Sequence, residues 1–240
     1  LYFNDFAKIP INIPPISKQR KIAKILSTWD KAIITTKALI ANSQQQKKAL
    51  MQQLLTGKKR FSGFNNKWEE IHLGDITKIS KGKALSSKNL ENGNFPVIAG
   101  GKSSPYNHSK FTHKNIITIS ASGAYAGYVA FHNHKVWASD CSVIEEKKDI
   151  DITFIYQFML LKQEKIYSLQ SGGAQPHIYP KDLSVLKVKL PSLKEQQKIA
   201  LVLTAADQET DTLQQKLSHL KQEKKALMQQ LLTGKRRVMI

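Results

Sequence analysis

The chain has 240 residues, 41% of them hydrophobic, and a formal charge of +19 with a pI near 9.9. That size suits one good core plus extended structure, and that charge points to a polyanionic partner, nucleic acid or an acidic membrane face. No apolar run reaches the roughly 18 residues of a transmembrane helix, the first residues lack the pattern of a signal peptide, and the lone Cys141 excludes an internal disulfide. A cytoplasmic protein without membrane attachment is the expectation.

Taken in chain order, the sequence opens on a segment that only a repeat explains. A shift of 177 residues aligns 1–63 with 178–240 without a gap, and 24 of the 63 positions are identical. The match is weak at first (Tyr2 with Tyr179, Asp5 with Asp182, Pro14 with Pro191). It ends almost unbroken, KALMQQLLTGKKR at 48–60 against KALMQQLLTGKRR at 225–237. Residues 1–15 therefore read as the remnant end of a preceding domain.

Residues 16–57 read as a long helix. On alternating steps of four and three the frame holds Ile22, Leu26, Trp29, Ile33, Ile40, Leu50 and Leu54, with Thr36, Ser43 and Lys47 as polar exceptions. Such a period over about five heptads is the mark of a coiled coil. Thr56-Gly57 should stop the helix, because glycine accepts the left-handed cap. About 40 residues would span about 60 Å. More than half of the excess charge lies here: residues 16–60 hold eleven Lys/Arg against one acid, Asp30.

Residues 61–192 change character. Ile71, Leu73, Ile76 and Ile79 begin a globular pattern, and short β-rich runs follow at 95–99, 115–120, 127–131 and 136–144. A helix is expected over 153–169 and a last strand near 183–190. Long Gly/Ser/Asn/Lys loops separate them, with Gly123 and Gly127 read as tight turns. In these loops Lys81, Lys83, Lys88, Lys102 and Lys110 are candidates to neutralise phosphates, which positions a protein on DNA without reading it. Ser86, Ser87, Ser103, Ser104, Asn107, Ser122, Gln175 and His177 are candidates for base-edge hydrogen bonds. Tyr106, Tyr125, Tyr128 and Tyr179 offer flat surfaces.

Residues 193–234 repeat the helix, with Ile199, Leu203, Ala206, Leu213, Leu217, Leu220, Leu227 and Leu231 on the frame and Thr210 and Lys224 as exceptions. Lys47 and Lys224 suit either a register device or a partner contact. The helices either pair with each other, antiparallel because one leads into the middle domain and one leads out, or each pairs with another chain. The expected class is α+β: one small mixed α/β domain plus two long helices in an antiparallel coiled coil.

Catalytic readings fail on spacing. His108, His113, His132, His134, Asp140 and Cys141 match no zinc signature. Gly100-Gly101-Lys102-Ser103 lacks the first glycine of a phosphate loop, because Pro96 stands there. No carboxylate pair or Ser-His-Asp order suggests an active site. A coiled-coil adaptor and a stand-alone nuclease remain the rival readings.

Two near-identical helical repeats around a variable domain, with GGAQPHIYPKDLSVLKVKLPSLKEQQKIALVL leading into the second helix and PPISKQRKIAKIL as its counterpart, resemble the specificity subunit of type I restriction-modification systems. The resemblance covers essentially the whole chain and places it as the C-terminal half of such a subunit. It implies a target-recognition domain at 61–192 between spacer helices at 16–57 and 193–234. It implies a non-catalytic, sequence-specific DNA-binding protein that reads one half of a bipartite target in double-stranded DNA, the helices setting a gap of about 17 base pairs at about 3.4 Å each. Modification (methyltransferase) subunits would dock on the repeats, at Lys48, Leu50, Met51 and Leu54 and at Lys225, Leu227, Met228 and Leu231, and a restriction subunit would join the full complex. No cofactor or metal is expected on this chain; S-adenosylmethionine, ATP and magnesium belong to those partners. Homodimerisation through the helices is a further expectation of the half-subunit reading.

Overall fold

The computed structural model describes residues 8–9, 13–104, 106–173 and 175–239, apart from the side chain of Ser87. Most of the expected remnant at 1–15 thus lies outside the described residues. The chain forms two compact units, residues 1–46 with 206–240, and residues 47–205. Helix α1 (Ile16–Leu54) and helix α6 (Leu193–Leu232) are the two long helices. Both stop as their sequences predict. Gly57 has φ +73° and Gly234 φ +74°, and each ending closes with the same backbone bonds: Gly57 N to Leu54 O and Lys59 N to Gln53 O, Gly234 N to Leu231 O and Arg236 N to Gln230 O.

In the first unit the helices pair with each other, and they run antiparallel. The Ser43 and Thr210 hydroxyls meet at 2.9 Å, while Lys224 Nζ donates to Asp30 Oδ1 at 2.5 Å, so partner numbers fall on one helix as they rise on the other. The seam is the predicted heptad frame. Ile22, Thr36 and Ser43 are buried on α1 and Thr210 and Leu231 on α6, with Trp29, Ile33, Ile40, Leu213, Leu217, Leu220 and Leu227 half-buried between them. Lys224 is accordingly a contact within the pair, its stem half-buried and its ammonium on Asp30. A buried hydroxyl pair in an apolar seam fixes register at some cost in stability. Thr210→Val should cost about 1 kcal/mol because the Ser43 hydroxyl loses its partner, whereas adding Ser43→Ala should recover most of that; a urea-unfolding double-mutant cycle reads the coupling, and additivity would reject it.

The second unit is built on a six-stranded sheet of order β2-β7-β5-β6-β3-β4 and a two-stranded sheet β1-β8. The strands are β1 (Glu69–His72), β2 (Thr77–Lys81), β3 (Phe95–Ile98), β4 (Asn107–His108), β5 (His113–Ser120), β6 (Val129–Ala138), β7 (Cys141–Glu146) and β8 (Lys187–Leu190). Short helices α2 (Leu73–Ile76), α3 (Ile152–Leu161), α4 (Gln163–Tyr167) and α5 (Pro180–Ser184) complete it. Central strand β5 is covered on both faces, residues 116–120 all being buried, and α3 adds Phe154, Ile155, Phe158 and Met159 to the core. Asp151 caps α3 by accepting from Phe154 N at 2.8 Å.

Three boundaries differ from the sequence reading. The runs at 127–131 and 136–144 are β6 and β7, divided at Ser139-Asp140; Asn133, His134 and Lys135 are exposed within a continuous strand, so hydropathy dips where the backbone does not turn. The helix expected over 153–169 breaks at Lys162, whose N–H is shared between Phe158 and Met159 carbonyls. Only Lys187–Leu190 of the last expected strand is extended, because Pro180 opens α5 instead.

One polar cluster closes the start of this unit. Glu195, 1% exposed in the first turn of α6, accepts both arms of the Arg60 guanidinium (2.9 and 2.7 Å) and the Trp68 indole N–H (3.0 Å). The guanidinium also lies 5.5 Å from the Trp68 ring centre.

Candidate nucleic-acid interface

The loops that carry the candidate residues converge because of how β6 curves. Its last residue, Ala138, adjoins Ile98 of β3, and three residues later Cys141 already pairs with Ser120 of β5. The Ser139-Asp140 turn thus gathers the carboxyl ends of β2, β3 and β5. Lys83 N donates to Ala138 O, Gly82 N to Cys141 O, Ser139 N to Ile98 O and Ala121 N to Asp140 O, at 2.8 to 3.2 Å. Gly82 is required by this approach: a Cβ there would sit 2.2 Å from Ser139 O. Gly123 (φ +76°) and Gly127 (φ +86°) turn the chain after β5 as expected. The segment before α5 joins the same group, since Ile178 N donates to Ala121 O and Gly123 N to Pro176 O.

The side chains there form a repeated pair, a lysine over an aromatic ring. Lys81 Nζ lies 5.7 Å from the Tyr179 ring centre and Lys83 Nζ 5.4 Å from Trp137, whose indole N–H donates to Lys83 O at 2.8 Å. Lys102 Nζ lies 5.2 and 5.4 Å from Tyr125 and Tyr128. Ring faces attract the ammonium groups without neutralising them, so the charge stays available to a polyanion while its stem is held in place. His177 stacks on Tyr179, centroids 6.2 Å apart and planes 14° apart. The Ser122 hydroxyl donates to the Asp140 carboxylate. Beneath this surface burial pushes the Cys141 thiol up to about 12, which makes it an inert filler. Burial also pushes the His132 imidazole down to about 4, with neighbouring His134 adding to it.

The structure therefore brings Lys81, Lys83, Lys102, Ser122, Tyr125 and His177 together. Ser103 lines one cavity with Lys102 and Tyr128, and Gln175 is exposed on the segment that carries His177. Ser86 and Lys88 are exposed on the loop after β2, which is tied to the same turn by Leu85 N to Ser139 Oγ at 3.2 Å. Tyr106, Asn107 and Lys110 stand apart on the β3–β4 edge. Asn107 is paired with Pro96. Lys110 lies 3.6 Å from Glu91, whose carboxyl is held below its usual range by the Ser109 hydroxyl and then by Lys110 itself. The sequence reading missed Trp137, Lys181 (5.8 Å from the Tyr179 ring) and the role of Asp140; no local spacing marks them, because they meet the others only across the curved sheet.

Of the docking candidates, several prove to be internal. Met51 and Leu54 are 8% and 3% exposed within the core of the second unit, and Leu50 packs against them. Leu231 is buried and Leu227 half-buried in the helix seam. Seam packing and core packing have taken these side chains, so Lys48, Lys225 and Met228 are what the two repeats expose.

One unit is thus a pair of antiparallel helices, and the other presents a face of lysines seated over aromatic rings. The family described as the type I restriction modification DNA specificity domain matches residues 1–42 and 65–222. The chain belongs to that family, whose members are recognition components and not catalysts. Relatives include the MjaX type I restriction enzyme specificity subunit of Methanocaldococcus jannaschii, 31% identical, the match covering 96% of this chain and 60% of that one. A type I specificity subunit of Mycoplasma pneumoniae is 28% identical, with 83% of each chain covered. The fold is that of the type I restriction-modification S subunit from M. genitalium (TM-score 0.75, 23% identity, 97% of this chain and 65% of that one). It also matches the HsdS subunit from Thermoanaerobacter tengcongensis (TM-score 0.56, 21% identity, 93% and 60%). The chain thus spans about 60% of the length of the first of these relatives. Among the described residues no helix is long and apolar enough to cross a membrane.

Proposed function

We propose that residues 61–192 read one half of a bipartite sequence in double-stranded DNA, and that the paired helices set its distance from the other half. The observation that carries this is the converged loop surface of lysines seated over aromatic rings. Lys81, Lys83 and Lys102 supply phosphate contacts, while Ser122, Gln175 and His177 present donors and acceptors to base edges. The helices dock modification subunits through exposed positions such as Lys48, Lys225 and Met228. Duplicate surfaces suit duplicate partners, and those partners, with a restriction subunit, supply the methylation and cleavage chemistry in the cytoplasm. Residues 1–15 are the end of a preceding recognition domain.

The test is a domain exchange in the assembled system. Replacing residues 61–192 by another such domain should change one half of the methylated motif and leave the other half and the gap unchanged. An unchanged motif would remove the assignment. At finer grain, Gln175→Ala or Tyr125→Ala should relax discrimination at single base pairs, each worth about 1–3 kcal/mol.

A further inference from the structure

Asp140 is an acid set in a basic face. It is exposed at the turn between β6 and β7, where its backbone carbonyl accepts from Ala121 N at 3.2 Å. The side chain is held from two sides. Oδ2 accepts from the Ser122 hydroxyl, and Gly100 packs so closely that a Cβ there would lie 3.2 Å from the same oxygen. Gly100 is itself fixed, its carbonyl accepting from Ser120 Oγ at 2.9 Å. Oδ1 accepts from no donor among the described residues, and no cation among them pairs with the carboxylate. Yet Lys81 lines the same cavity of about 550 Å³, together with His177 and Tyr179. Nearby Asp182 makes the contrast: its carboxylate accepts from Tyr179 N at 3.0 Å at the start of α5. Asp140 closes no helix end and no ion pair.

We infer that Asp140 is a specificity-determining residue, the acceptor by which this domain selects a cytosine in the major groove. The inference rests on DNA reading by residues 61–192. A carboxylate offers acceptors only, and on a phosphate-binding face it weakens association with every duplex by like-charge repulsion. A hydrogen bond from a base edge offsets that cost for one base and not for the others. Guanine O6 and thymine O4 are acceptors and repel it; the major-groove donors are cytosine N4 and adenine N6. Adenine sets its N7 acceptor beside N6, which turns lone pair against lone pair, whereas the amino group is cytosine's only polar group in that groove. A single outward acceptor therefore fits cytosine. Ser122 is the positioning residue, because its hydroxyl ties down Oδ2 and leaves Oδ1 for the base.

Asp140→Asn keeps the shape and removes the charge, and the test carries it into the assembled system. Parent and variant are titrated by anisotropy against duplexes in which each position of the half-site, taken from the parent's methylated motif, is changed in turn. An unrelated duplex is measured beside them. At one position the parent should prefer cytosine, and the variant should lose about tenfold or more of that preference over thymine. Binding to the unrelated duplex should rise about twofold or more at low salt. Ser122→Ala, which keeps the carboxylate, should keep the same base preferred by a smaller margin. No cytosine preference in the parent, an equal preference in Asp140→Asn, or a uniform gain on every duplex without lost discrimination would each overturn the inference. Failure of DNA reading itself gives a different result. A motif unchanged by exchange of residues 61–192 would remove that reading, whereas a motif that follows the domain and ignores Asp140 removes only the cytosine contact.

Discussion

Arg60→Ala is expected to lower the thermal midpoint by roughly 10 °C, and Glu195→Gln by roughly half of that, because only one partner of the pair can escape to water. The Arg60 side chain keeps a quarter of its surface exposed, so once Glu195 is gone it can turn outward and rehydrate. Glu195 has no such route. At 1% exposure it would keep only the Trp68 indole N–H, and the carboxylate would remain inside without its counter-charge. Its place in the first turn of α6 offers some relief from the helix dipole, far less than a bidentate guanidinium. Thermal unfolding followed by tryptophan fluorescence reads the two variants, and an inverted order would show that the cluster is not held by the buried carboxylate.

The second large effect concerns the basic face. Changing Lys81, Lys83 and Lys102 together to alanine should reduce the slope of log affinity against log salt by roughly 3 and weaken binding to every duplex about equally. Each ammonium is seated on a ring and paired with no carboxylate among the described residues, so each can release a counterion on contact with a phosphate. Lys110→Ala is the internal comparison. Its charge is already shared with Glu91, and its loss should change the slope little. If the triple variant kept its salt slope, the phosphates would lie elsewhere, and the lysine-rich first helix would be the next place to look.

The long helices were legible in the sequence to within three residues because a seam of fixed period forces every fourth and third side chain inward. Even the polar frame positions proved to be seam residues: Ser43 meets Thr210, and Lys224 reaches Asp30. The caps were legible for a related reason, since a left-handed turn at 57 and 234 admits glycine at little cost. The middle domain was legible as a class but not in its boundaries. Exposed Asn133 and Lys135 interrupt the hydropathy of β6 where its register with β5 shifts, between Lys114 and Ile116, and the strand continues through that irregularity because backbone pairing does not depend on which side chains are apolar.

By itself, then, the sequence determined whatever depends on repetition along the chain: the duplicated helices, their seam, their stops and the uneven charge. Tertiary structure alone decided which residues share a surface. Lys81, Lys102, Trp137 and Tyr179 are far apart in the chain and are joined only because β6 curls to bring the ends of β2, β3 and β5 to one turn. It also decided that identical stretches differ. Leu55 is covered and Leu232 is not, because burial is fixed by what other parts of the molecule reach, and no local pattern encodes that.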